Sequence, residues 1–169
     1  MNQELERYLN DHLAGASGAI LMIGHLVETL EKPQAVDFFR KLKTDVEGDR
    51  RLLEQLLATA GGKSSEVLKS TGRLTFRLGF LKLLWEGFKP GELGVFEALE
   101  MLSLGVQGKR LLWVTLQDVA GWYPEWEKFN FADLESEAIR QRDGVEFWRI
   151  ESARDTFVSS ERRAGSVSS

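Results

Sequence analysis

Cysteine is absent from this chain of 169 residues, histidine occurs twice and proline three times. Without cysteine there is no disulfide and no thiolate metal site, so any coordination falls to imidazole, carboxylate and amide groups. The two histidines, His12 and His25, are the only imidazoles available to catalysis or metal binding. Scarce proline among long strings of helix formers argues against an all-β fold. No long hydrophobic run is present either. The most apolar early stretch, Ala14 to Val27, is too short for a bilayer and is interrupted by His25. Glu4, Glu6 and Asp11 stand where a secretion signal needs Lys or Arg, so a cytoplasmic protein with no transmembrane segment is expected. A formal charge of −4 offers no overall attraction for nucleic acid. The phosphate-binding Gly-x-x-x-x-Gly-Lys-Ser/Thr, the Gly-x-Ser-x-Gly elbow and His-Glu-x-x-His are all missing. No spacing selects one serine for a Ser/His/Asp triad.

What remains is helical periodicity. Its length suits one domain, over residues 1–157, with a tail from 158 to 169 that lacks apolar repeats and is expected to be disordered. A first helix is expected from Gln3 to Glu31, with Leu5, Leu9, His12, Ala16, Ala19, Ile20, Ile23, Val27 and Leu30 on one stripe. Lys32-Pro33 ends it and starts a second, antiparallel helix to Ala60, which stops at Gly61-Gly62. The second stripe runs through Phe38, Phe39, Leu42, Val46, Leu53, Leu56, Leu57 and Ala60, with Asp49 inside it and Asp45 on its flank. Residues 63–91 read as a crossover helix. Its face Lys69, Arg73, Arg77 recurs every four residues, a pattern that a membrane surface or an acidic partner would also suit. A third helix, Glu92 to Ala120, is apolar on two sides. The stripe Val95, Leu99, Leu102, Val106, Trp113, Leu116 is expected to lie under the crossover. The stripe Leu93, Phe96, Leu104, Leu111, Val114, which carries Glu100 and Gln107, is expected to face the bundle. Gly105 and Gly108 suggest close helix approach. After an aromatic turn, a fourth helix starts near Phe131 and presents Leu134, Ala138, Gln141, Val145 and Trp148 inward.

Each long helix thus places a polar group on its expected inner face, giving a core layer of His12, Asp49, Glu100, Gln107 and Gln141. In a hairpin turning at Pro33, His12 and Asp49 lie about one turn, roughly 6 Å, apart along the axis, within reach of a His–carboxylate hydrogen bond. Such a layer satisfies itself and sets register, or it binds a divalent metal through His12, Asp49 and Glu100, with Glu97 or Glu137 turning inward.

The stretches YLNDHLAGASGAI, FFRKLKTDVEGDRRLLEQLL and ALEMLSLGVQGKRLLW resemble a group of uncharacterised bacterial ferritin-like proteins. The resemblance implies an all-α, ferritin-like four-helix bundle with a long helical crossover between its second and third helices. Ferritin-like di-iron proteins carry Glu-x-x-His on two helices. Here Leu9 and Met22 stand three residues before the histidines, and the other long helices have no histidine. A di-iron centre is therefore not expected. The expected function is a bundle with a structural polar layer, the competing ones being a small metal-binding or oxidative enzyme, or an interaction module acting through 63–89. Assembly with a second copy is compatible with all three.

Overall fold

The helices begin and end where local chemistry dictates. α1 (Gln3–Thr29) opens on Asn2, whose side-chain oxygen accepts from the backbone N–H groups of Glu4 (2.8 Å) and Leu5 (3.0 Å). Two donors that a helix start leaves unsatisfied are thereby capped. Pro33 forces the residue before it out of the helical region and takes the first turn of α2 (Pro33–Thr59). α2 closes with Gly61 at φ +77°. The N–H of Gly61 donates to Ala58 O (3.1 Å) and that of Gly62 to Leu57 O (2.8 Å), the pair of bonds that terminates a helix on a left-handed glycine. α3 (Glu92–Val119) and α4 (Phe131–Phe157) are joined by two short 3-10 turns, Ala120–Trp122 and Pro124–Trp126. Asn130 caps α4 by accepting from the Asp133 N–H at 3.2 Å.

The computed structural model describes residues 1–62 and 92–158. The expected crossover helix with its Lys69, Arg73, Arg77 face, and the tail beyond Val158, lie outside the described residues. Among the described residues all regular structure is helical, and no helix is long and apolar enough to cross a membrane.

Two hydrophobic clusters occupy opposite ends of the bundle. One joins Leu9 and Leu13 of α1, Leu53 and Leu56 of α2, Leu112 and Trp113 of α3, and Phe131 and Ala138 of α4. Trp126 from the aromatic turn completes it, and its indole N–H donates to Leu56 O at 3.0 Å. The other joins Ile23 and Leu26, Phe39 and Leu42, Leu99 and Leu102, and Val145. α1 and α4 enter the first cluster with their early residues, whereas α2 and α3 enter it with their late ones. The chain order is therefore up-down-down-up. The connection from Gly62 to Glu92 joins opposite ends of the bundle, roughly 42 Å apart for a helix of 28 residues.

Two expectations are corrected. The α3 stripe Leu99, Leu102, Val106, Trp113, Leu116 is the one buried in the bundle, and Leu93, Leu104, Leu111 and Val114 are exposed. Both stripes are apolar enough to be core, so hydrophobicity alone could not rank them. Gly105 and Gly108 mark no close approach, since nothing lies within 4 Å of where a Cβ would stand. The tight contact is at Gly144 of α4, where a Cβ would fall 2.5 Å from Cζ of Phe38 on α2.

Candidate functional site

The buried stripe of α3 advances in steps of four and three, and the position between Val106 and Trp113 is Lys109. A lysine there must send its ammonium into the bundle, and the side chain is only 14% exposed. Nζ donates to Oδ2 of Asp49 on α2 at 2.5 Å and to Oε1 of Gln141 on α4. Gln141 is buried, and its amide nitrogen donates in turn to Glu137 Oε1 (3.3 Å) and, at longer range, to Asp45 Oδ2 (3.5 Å). Asp45 also accepts from Lys41 at 2.6 Å, a hydrogen bond that holds the Lys41 ammonium above its ordinary range. One cation thus ties three helices together. The Asp49 charge is matched within a single contact, which is what makes a mostly buried carboxylate tolerable.

His12 stands on the wall of a cavity of about 100 Å³ that Asp49 and Lys109 also line. The cavity lies between α1, α2 and α3, and its remaining wall is Gly15, Ala16, Ala19, Val46, Arg50, Leu53, Gly105, Val106, Leu112 and Trp113. The His12 ring packs edge-to-face on Tyr8 with centroids 4.7 Å apart. His12 and Asp49 share a cavity, and the hydrogen-bond partner of Asp49 is Lys109. A second, open cleft of about 430 Å³ lies by the aromatic turn, against Trp126, Phe129 and Phe131.

The expected members on α3 lie elsewhere, because the face that carries them is turned outward. Glu100 is exposed and faces Arg149 of α4 at 3.6 Å. Gln107 accepts from Arg142 at 3.1 Å. Glu97 is half-buried on the same helix. Glu137 accepts from Arg140 Nε at 3.0 Å as well as from Gln141. His25 is exposed, with Nδ1 4.0 Å from Glu28. Among the described residues there is no group of three or more His, Asp or Glu side chains placed to hold a metal ion.

A second polar contact, not visible in the spacing, joins α3 to α4. Ser103 Oγ donates to Glu146 at 2.5 Å, and Arg149 donates to it through Nε (2.9 Å) and Nη2 (2.8 Å). Arg149 first, then Ser103, hold the Glu146 carboxyl below its ordinary range. Charge-assisted bonds of this kind stabilise the ionised form. Lys109 could have been found as the missing step in a regular stripe, whereas Ser103 and Glu146 carry no comparable mark. Comparison with protein-family models, with curated proteins and with solved structures finds no match for this chain.

Proposed function

We propose that this chain is a ferritin-like bundle of the non-enzymatic kind, in which a lysine-centred polar layer sets the register of the helices. The observation that carries this reading is the position of Lys109. Its ammonium stands between Asp49 and Gln141, where a metal-dependent bundle would place its ion. A fixed cation there neutralises the carboxylate a metal would need and repels a divalent ion. The up-down-down-up order with one long connection supports the ferritin-like assignment. The missing Glu-x-x-His pairs argue against di-iron chemistry. The competing reading, a divalent metal held by His12 and Asp49, draws on their sharing one cavity.

Thermal unfolding of protein purified without metal-affinity tags, with manganese, zinc or anaerobic ferrous iron added, separates the two. A ligand that binds only the folded state raises its stability by mass action. The structural reading expects the melting temperature to move by less than about 1 °C. A rise of several degrees in the wild type that His12→Ala abolishes would establish the metal reading instead.

A further inference from the structure

Small residues on facing helices create the cavity beside Lys109. Gly15, Ala16 and Ala19 on α1 and Gly105 on α3 line it, and the two glycines are exposed, with no atom within 4 Å of where a Cβ would stand. The space is left open because no side chain at these positions is long enough to fill it. Its volume, about 100 Å³, is somewhat below the ~150 Å³ of an engineered apolar cavity that takes up benzene, so it suits a molecule of about six non-hydrogen atoms.

The walls also define what such a molecule carries. The ammonium of Lys109 has three N–H donors, of which Asp49 and Gln141 take two. One turn further along α3, Trp113 is fully buried, and its indole N–H has no acceptor among the described residues. Both residues line the cavity. A buried donor without an acceptor is costly, so the cavity favours a guest that brings an acceptor oxygen. The lysine and the arginine of the wall each have a carboxylate partner. Lys109 is paired with Asp49, and Arg50 is paired with Glu54 at 3.1 Å. An anion entering here would lose its hydration without gaining an uncommitted counter-charge.

We propose that this cavity is a binding site for a small neutral molecule with an apolar body and one carbonyl or ether oxygen, held by the N–H groups of Lys109 and Trp113. Its body packs on Ala16, Ala19 and Val46. This site is independent of the structural reading of the polar layer, since it uses the donor of Lys109 that the layer leaves unused.

Cyclopentanone, cyclopentane and butyrate are probes of matched size that differ in acceptor and charge. Their binding is followed at the indole N–H resonance of Trp113 in nitrogen-15 correlation spectra, identified by its loss in Trp113→Phe. Cyclopentanone is expected to shift that resonance saturably, with a dissociation constant in the low millimolar range. Cyclopentane and butyrate are expected to bind about tenfold or more weakly. Gly105→Leu fills the cavity from an exposed helix position with room for the side chain, and its spectrum reports directly that it is folded. It should weaken cyclopentanone binding about tenfold or more. No saturable shift up to about 50 mM cyclopentanone, a small molecule's reasonable limit, would overturn the proposal. So would tighter binding of butyrate, equal binding of cyclopentane, or undiminished binding to the folded Gly105→Leu protein.

Discussion

Lys109 shows how much one side chain can decide and how readily it is passed over. A lysine in a helical pattern reads as a solvated group, yet its long stem lets the charge reach across a helix interface. The spacing did mark Asp49, which fills a step of the α2 stripe between Val46 and Leu53, and Gln141, which fills one on α4 between Ala138 and Val145. It marked Lys109 equally, as the step of the α3 stripe between Val106 and Trp113. With Asp49 held at 2.5 Å by Lys109, removing His12 does not strand the carboxylate. Lys109→Met is the severe change. It leaves Asp49, 17% exposed, without its cation and should lower stability by about 2–3 kcal/mol. The double variant Asp49→Leu/Lys109→Met should be more stable than Lys109→Met alone, because the uncompensated charge is gone. Chemical denaturation of the four proteins in the cycle measures this, and single-variant effects that simply add in the double variant would show that the pair is not coupled. Glu146 makes a pH-dependent contribution of defined sign. Its carboxyl titrates below the ordinary value of 4.5 in the fold, chiefly through Arg149 and then Ser103. A group whose folded value is depressed stabilises the fold above its unfolded value, and that contribution disappears as pH falls from 4.5 through the folded value. Glu146→Gln should flatten the acid limb of a stability–pH curve below about pH 5 and leave the neutral region's slope unchanged. The effect is small, because the side chain is 37% exposed and solvent screens it. An acid limb as steep in the variant as in the wild type would assign the pH dependence to other carboxylates.

At the scale of the helix, boundaries were legible and faces only partly so. Asn2, Pro33, Gly61 and Asn130 act through the local backbone, and local chemistry is what a sequence displays directly. Which of two apolar stripes on α3 enters the core depends on partners far away in the chain, and there the reading went to the wrong face. The same limit governs glycine. Three glycines inside helices look alike in the sequence, but their surroundings give their replacement by alanine opposite signs. At Gly105 and Gly108 a methyl group meets no atom within 4 Å. Each change should therefore stabilise by about 0.5–1 kcal/mol, the backbone entropy that glycine forfeits in a helix. At Gly144 the methyl would collide with the ring of Phe38, which is wedged between α2 and α4 and packs edge-to-face on Phe39 with centroids 4.9 Å apart. Gly144→Ala should then destabilise by about 1–3 kcal/mol, the range for overpacking a tight contact. Melting temperatures of the three single variants give the answer. A stabilised Gly144→Ala would mean that the Phe38 ring moves aside freely and that the α2–α4 contact is loose.

At the scale of the whole molecule, the two hydrophobic clusters are joined through the helices and not merely placed end to end. Each of the four described long helices passes through both, α1 from Leu9 to Leu26 and α3 from Leu99 to Leu116. Between them lies the lysine-centred layer with its adjoining cavity, so the middle of the bundle is held by hydrogen bonds and charge more than by apolar packing. Such a division could allow one end to open while the other stays folded. The helices oppose this, because releasing one cluster frees the shared segments that build the other. Unfolding is therefore expected as a single cooperative transition. Leu56→Ala at one end and Leu102→Ala at the other remove fully buried side chains, and each should cost about 2–5 kcal/mol. Their effects should add within about 0.5 kcal/mol, since the sites share no contacts. Far-ultraviolet circular dichroism follows the helices as a whole, and in a Trp85→Phe/Trp122→Phe/Trp148→Phe background tryptophan fluorescence reports Trp113 and Trp126 of the first cluster. The two signals should give coincident denaturation curves in that background and in both leucine variants made in it. If Leu56→Ala shifts the fluorescence transition to lower denaturant and leaves much of the helical signal in place, each end folds separately, and the polar layer is a boundary across which cooperativity fails.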